Sequence, residues 1–237
     1  MTVNCVWEHN GNDTLLYASD LLGAYTRGKS LDVAAEKMEQ EVLSYLRWSG
    51  EALPSSVRVQ IIQEKASDLQ ICDADSDVLF DTERAKLSME EYAKYKALAL
   101  KSAVDFLTLY HSIPNRDAFS APRRETFYGA VPRTANEMYE HTKRVNAYYF
   151  GEIGVDADNE GSIFECRLRG FETLQAQTDF LSNPVVEGSY GEEWSLRKLL
   201  RRFLWHDRIH AKAMWRMATE LFGRELIADP FCFACDR

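Results

Sequence analysis

Two histidines four residues apart carry the clearest chemical signal in this sequence of 237 residues. His206 and His210 lie in a segment whose apolar residues recur at helical spacing, so both imidazoles should project from one face of a helix, about one turn apart. This spacing suits two ligands of one metal ion. Because two histidines on a helix are more often surface or core residues than ligands, the pair alone leaves all three interpretations open.

A third histidine makes the metal hypothesis more specific. His141 shares the apolar stripe of another predicted helix with Met138 and Tyr148, and a buried imidazole needs a polar partner. Helix packing can bring it to His206 and His210. Three neutral imidazoles leave a divalent ion with an open position, as in catalytic zinc sites. Zinc is the first choice, and nickel, iron and manganese are compatible because imidazole binds each of them.

Three more residues are candidates for supporting this centre or for binding substrate. Glu137, one turn before His141, could orient an imidazole or accept a proton, and Asp207 adjoins His206. Arg144, one turn after His141, could bind an anionic substrate group. Each has a structural alternative, a helix cap for Glu137 and surface ion pairs for the other two. No residue is assigned to catalysis itself.

The C-terminal part must position these side chains, and its pattern predicts four helices. Capping boxes at 88–91 and 134–137 begin the first two helices, because in each a Ser or Thr is followed three residues later by Glu. The third helix is predicted at about 163–181. Ser195 begins the fourth, and Gly223 ends it. Four such helices with long connections predict a four-helix bundle.

The N-terminal part has a different pattern. Short segments rich in β-branched and aromatic residues predict strands at 3–7, 14–18, 24–26 and 57–63. Between the third and fourth of them, apolar residues recur at helical spacing from Ser30 to Gly50. The order β-β-β-α-β predicts a small α+β layer with one helix on a sheet.

Charge separates the two parts. The chain has 28 Lys and Arg against 37 Asp and Glu, a net charge of −9, and residues 1–80 alone carry −7. The change falls near an acidic segment without apolar periodicity, at Asp73–Asp77. We therefore predict an α+β domain at 1–72, an acidic linker at 73–87, a helical bundle at 88–225 and a C-terminal tail at 226–237.

Composition also excludes some classes of function. An acidic chain lacks the cationic face that binds nucleic acid. No apolar run is long enough for a membrane span, and the N-terminus lacks a signal sequence, so we expect a cytoplasmic protein without a membrane partner. The five cysteines predict reduced thiols. Cys232 and Cys235 have redox or metal spacing, but as a lone pair near the C-terminus they favour a free-thiol tail.

The segment Trp205-His-Asp-Arg-Ile-His210, with an earlier histidine inside Asn136-Glu-Met-Tyr-Glu-His141, resembles the DinB-like superfamily. The resemblance covers about 85–225. It implies a long four-helix bundle that binds a divalent metal ion through His141, His206 and His210. Known relatives are thiol-dependent transferases and isomerases, with related hydrolases, so it also implies a small-molecule substrate and a low-molecular-weight thiol as co-substrate.

The first 70 residues resemble the HicB-like antitoxin N-terminal domain. The resemblance depends on the run Leu21-Leu-Gly-Ala-Tyr-Thr-Arg-Gly-Lys-Ser30, on Ala34-Ala35 near the helix start, on Tyr45-Leu46, on the turn at Gly50-Glu51 and on the final strand. It implies the β-β-β-α-β fold. For the function of this part, an accessory or dimerisation module without chemistry is favoured over an antitoxin role, and a homodimer is compatible with it.

Two hypotheses of different classes follow. The first is a metal-dependent transferase or hydrolase that acts on a small molecule through the three histidines. The alternative is a non-enzymatic protein that binds metal or a protein partner and carries an antitoxin-like N-terminal module. An open cleft over the histidines would favour the first, and a filled helical interior would favour the second.

Overall fold

The computed structural model describes residues 1–11, 13–126 and 128–234 and has a mixed α+β fold. The first part contains strands β1 (Thr2–His9), β2 (Thr14–Ala18) and β3 (Tyr25–Gly28), helix α1 (Leu31–Ser49) and strand β4 (Arg58–Ala66). This element order confirms the predicted β-β-β-α-β pattern. The strands form one sheet in the order β3-β2-β1-β4, in which β1 is antiparallel to β2 and parallel to β4.

Helix α1 covers one face of this sheet. The Ser30 side chain accepts a hydrogen bond from the backbone N–H of Val33 and caps the start of the helix, and Gly50 ends it at a φ of 76°, where glycine avoids the clash of a Cβ. Ala34, Met38 and Val42 recur at helical spacing and are fully buried. The helix thereby holds its apolar stripe against the sheet.

Four longer helices form most of the second part: α2 (Met89–Ser112), α3 (Ala135–Glu152), α4 (Ile163–Gln175) and α5 (Leu196–Phe222). The predicted capping boxes at Ser88 and Thr134 are both present. Helix α2 contacts the other three helices, and α3 contacts α4 and α5. Two short hairpins lie in the connections, β5 (Glu125–Thr126) with β6 (Gly129–Ala130) and β7 (Val186–Glu187) with β8 (Glu193–Trp194).

The predicted third helix is too long. It ends at Gln175 rather than near Leu181, and only a 3-10 turn follows at Phe180–Ser182. The intervening residues are Ala176, Gln177, Thr178 and Asp179, and Asp179 takes a left-handed conformation at a φ of 54°. A left-handed residue stops helix propagation, and Asp tolerates that conformation because its short side chain can hydrogen-bond locally.

The two parts share buried contacts along α5. The Trp205 ring packs edge-on against Tyr17 and Tyr25 of the sheet, with ring centroids 5.7 and 6.2 Å apart. In the segment predicted as a linker, Val78 and Phe80 are 1% exposed and belong to the same apolar cluster. No helix in the described part of the chain is long and apolar enough to cross a membrane.

Candidate metal centre

The three predicted histidines come together between α3 and α5. Their candidate ligand nitrogens all lie within 4.8 Å of one another. The ring centroid of His141 is 5.1 Å from that of His206 and 4.6 Å from that of His210, and the rings of His206 and His210 are 4.5 Å apart. The two positions on α5 meet because four residues complete about one helical turn, and α3 packs beside α5 to supply the third.

Burial keeps these imidazoles neutral. The pKa of His206 lies well below its ordinary value, first because the ring is buried and then because charged His210 and His141 would repel it. The same causes, burial and His141, lower the pKa of His210 to about 3. Burial, followed by the charge of Arg144, also lowers the pKa of His141. A neutral imidazole has the free lone pair that metal binding needs.

All three histidines line a cavity of about 690 Å³. A volume of this size is typical of small-molecule sites. The walls combine aromatic rings with charged side chains. Six further residues of the lining are Asp75, Tyr148, Tyr149, Glu192, Arg202 and Trp205.

The segment predicted as a linker supplies one wall of this cavity. Residues 73–77 line it, and buried hydrogen bonds hold this segment in place. Ser76 donates to the carboxylate of Glu8 at 2.5 Å and accepts from the hydroxyl of Tyr17 at 2.8 Å. Lys65 pairs with Asp77 at 2.5 Å. The cavity over the three histidines is therefore completed by residues from outside the four helices.

Arg202 is a charged residue of the cavity that sequence reasoning missed. Its guanidinium donates to the carbonyl oxygen of Ser76 at 2.7 Å and lies 5.0 Å from the ring centre of Trp205. Its Nε is buried and has no hydrogen-bond partner within the described residues. Helical spacing could have identified Arg202, because it lies one turn before His206. No comparable pattern marked residues 73–77.

The other predicted site residues make contacts of their own. The Glu137 carboxylate accepts from the backbone N–H of Arg133 and Thr134, which fits the capping alternative. Glu137 and Arg144 line a separate cavity of about 490 Å³ that also reaches His141.

Asp207 points away from the histidine rings. Its carboxylate accepts from the hydroxyl of Ser102 and from two nitrogens of the Arg167 guanidinium. These hydrogen bonds hold α5 against α2 and α4 and thereby restrain the neighbouring His206.

The cysteines lie apart from the three histidines. Cys5 and Cys166 are buried and Cys72 is exposed, and these three are free thiols; Cys232 is half-buried. Cys235, the second residue of the predicted C-terminal pair, lies outside the described residues, so the pair stays a prediction. Comparison of the chain with protein-family models, curated proteins and solved structures finds no match.

Proposed function

We propose that this chain is a metal-dependent enzyme of the DinB-like type that transfers or hydrolyses a group on a small molecule. One observation carries the proposal. The nitrogens of His141, His206 and His210 lie within 4.8 Å of one another in the wall of a cavity large enough for a small-molecule substrate.

The donor set fits a divalent ion of the zinc, nickel, iron or manganese class. Among the described residues, no carboxylate or thiolate joins the three histidines in a metal-binding group. The set resembles catalytic centres, which have three protein ligands, more than structural centres, which have four. Nδ1 of His206 is buried without a hydrogen-bond partner, so this nitrogen is available as a ligand.

The fold supports the same proposal. We infer that α2 to α5 form the four-helix bundle of the DinB-like superfamily and that β1 to β4 with α1 form a HicB-like module. The proposed ligands lie on two different helices, one on α3 and two on α5, as the resemblance implies. Residues 73–77, from the segment predicted as a linker, supply one wall of the cavity, and Ser76 in this segment is hydrogen-bonded to Glu8 and Tyr17 of that module.

A divalent ion in this centre would act as a Lewis acid and make a thiol or water molecule a better nucleophile near neutral pH. The residues of the chain have separate tasks. Arg202 carries a fixed positive charge into the cavity and would orient an anionic or carbonyl group of the substrate. Tyr148, Tyr149 and Trp205 would bind its apolar portion.

The cavity supports this function over the non-enzymatic alternative. A structural metal centre has no need for an open space beside its ligands, whereas a catalytic centre needs room there for its substrate. The antitoxin-like role also receives little support, because the charge of −9 disfavours contact with nucleic acid.

Metal analysis tests the centre directly. Protein purified without added metal would be analysed for bound elements and then titrated with Zn²⁺, Ni²⁺, Fe²⁺ and Mn²⁺. We expect one ion per chain and a higher melting temperature than after chelation, because an ion that binds only the folded state stabilises it. His206→Ala should remove the ion, whereas the control His111→Ala, at an exposed position, should retain it. Equal metal content in the two variants would contradict the proposal.

Activity is tested separately with the loaded protein. A panel of low-molecular-weight thiols would be combined with a chromogenic aryl chloride, from which the thiol displaces chloride, and hydrolysis would be followed with an aryl ester. We expect turnover that His206→Ala abolishes and that Arg202→Gln reduces mainly through a higher KM. Metal binding without turnover of any of these substrates would favour the non-enzymatic alternative.

A further inference from the structure

A second cavity, of about 410 Å³, lies on another side of α5, between α1, β3 and the segment around Phe233. Residues advance by about 100° along a helix, so Arg208, Lys212 and Trp215 project roughly opposite His206 and His210. The floor of the cavity contains Tyr25, Thr26, Glu41 and Ser44, which are all buried.

The lining of this cavity is strongly cationic in a chain whose overall charge is negative. Four basic residues line it, namely Arg27, Lys37, Lys212 and Arg216, and Glu41 is the one carboxylate among the described lining residues. Glu41 is already neutralised. Its carboxylate pairs with Arg208 at 2.8 Å and with Lys212 at 2.5 Å, and the Arg208 side chain is itself fully buried. The single negative charge of Glu41 is thus paired with two positive charges, and the charges of Arg27, Lys37 and Arg216 are additional to these.

The cavity also has an excess of hydrogen-bond donors. Lys37 and Arg27 donate to backbone carbonyl oxygens, of Arg27 and Cys72 respectively, and neither pairs with a carboxylate in the described part of the chain. Nε1 of Trp215, which lines the cavity, is buried without an acceptor among the described residues. Unsatisfied buried donors are costly, and an anionic acceptor would relieve that cost.

We propose that this cavity binds a small molecule through an oxyanion, a phosphate or carboxylate group. Arg27, Lys37 and Arg216 bind the anionic group at the rim. The aromatic rings of Trp215 and Phe233, which lie 6.2 Å apart, contact an aromatic or apolar portion. This site is distinct from the histidine centre, since the two cavities share no lining residue.

Binding is tested with full-length protein and three probes: inorganic phosphate, phenyl phosphate and benzoate. Calorimetry and tryptophan fluorescence would measure affinity and stoichiometry, and Trp215→Phe would assign the fluorescence change. We expect one saturable site for phenyl phosphate or benzoate. The probe that binds with the higher affinity shows whether the site prefers a phosphate or a carboxylate group. Inorganic phosphate should bind more weakly than phenyl phosphate, because it lacks the ring.

Charge variants make the test specific. Replacing both rim arginines, Arg27→Gln with Arg216→Gln, should weaken binding about tenfold or more, because charge-assisted hydrogen bonds to an anion are lost. The matched control is Arg58→Gln, an exposed arginine at the start of β4 that lines neither cavity. No saturable binding of any probe at millimolar concentration would overturn the proposal. So would an equal loss of affinity in the control.

Discussion

Arg167 of α4 and Asp207 of α5 form a two-point ion pair in the interior of the protein. The guanidinium nitrogens lie 2.5 and 3.0 Å from the two carboxylate oxygens, and neither side chain is exposed to solvent. Arg167 also donates to the carbonyl oxygen of Ala99 on α2. Because Asp207 directly follows His206, this pair restrains the helix turn that carries a proposed metal ligand.

Asp207→Asn should therefore destabilise the protein strongly. The substitution leaves the Arg167 charge buried without its counter-ion, and loss of one partner of a buried pair costs about 3–5 kcal/mol. Asp158→Asn is the matched control, because Asp158 pairs with Arg169 at the surface, where both side chains are more than 40% exposed. An exposed pair contributes about 1 kcal/mol or less. Urea unfolding measures both free energies, and similar losses would show that burial does not govern the first pair.

The histidine cluster predicts a loss of stability on acidification without metal. The pKa of His210 is about 3 in the folded protein, against about 6.5 in an unfolded chain. Between these values the unfolded state binds more protons, so the free energy of unfolding falls as the pH is lowered. Urea unfolding from pH 7 to pH 5 in the presence of a chelator measures this slope.

His210→Gln should make that slope shallower, whereas His111→Gln, at an exposed position, should keep it close to the wild-type slope. A slope that is unchanged in His210→Gln would contradict the burial of an unprotonated ring at this position.

Gly23→Ala should disrupt the contact between the β2–β3 connection and α5. A Cβ at residue 23 would lie 2.6 Å from the Cβ of Leu204 and 2.8 Å from its carbonyl carbon. Gly11→Ala is the control for backbone strain alone. Gly23 has a φ of 93° and Gly11 a φ of 85°, so both substitutions place a Cβ on left-handed backbone, but nothing lies within 4 Å of a Cβ at Gly11. The control should lose about 1–2 kcal/mol. Gly23→Ala should lose about 1–3 kcal/mol more through overpacking, as measured by denaturant unfolding, and equal losses would contradict this close approach.

Limited proteolysis tests the predicted linker at 73–87. We expect trypsin to cut first near Arg123, because residues 119–125 are exposed without interruption. Cleavage at Lys86 should be slower, since Arg197 donates to the carbonyl oxygens of Ala85 and Lys86. Mass spectrometry of the first fragments identifies the site. An earlier cut at Lys86 would instead support a linker that opens easily.

Local patterns predicted the helix starts well, because their causes are local. Ser88 and Thr134 cap their helices through residues three positions away, so a short stretch of sequence contains the whole interaction. The spacing of His206 and His210 was predictable for the same reason. The failure of α4 to reach Leu181 was not predictable, because Asp179 can occupy either a helix or a left-handed turn and the choice depends on its surroundings.

The parts of the candidate site that depend on tertiary contacts were the hardest to predict from the sequence. The approach of His141 was expected from its apolar stripe and from the family resemblance, but the wall formed by residues 73–77 was not. That segment appears in the sequence as a run of acidic residues. Its position depends on Ser76 reaching Glu8, which lies 68 residues away in the chain. The cationic cavity was not predicted for the same reason, because Arg27 of β3 and Arg216 of α5 are far apart in the sequence and meet only in the folded chain.

The ring of Trp205 lines the histidine cavity and also packs against Tyr17 and Tyr25 of the sheet. Substitutions at these three positions should be strongly non-additive, because contacting side chains share one interaction energy. Sequence change in the sheet is therefore constrained by the residue next to His206. The two parts of the chain are expected to accumulate compensating substitutions together, and replacing residues 1–72 with an unrelated module would remove the partners on which the site depends.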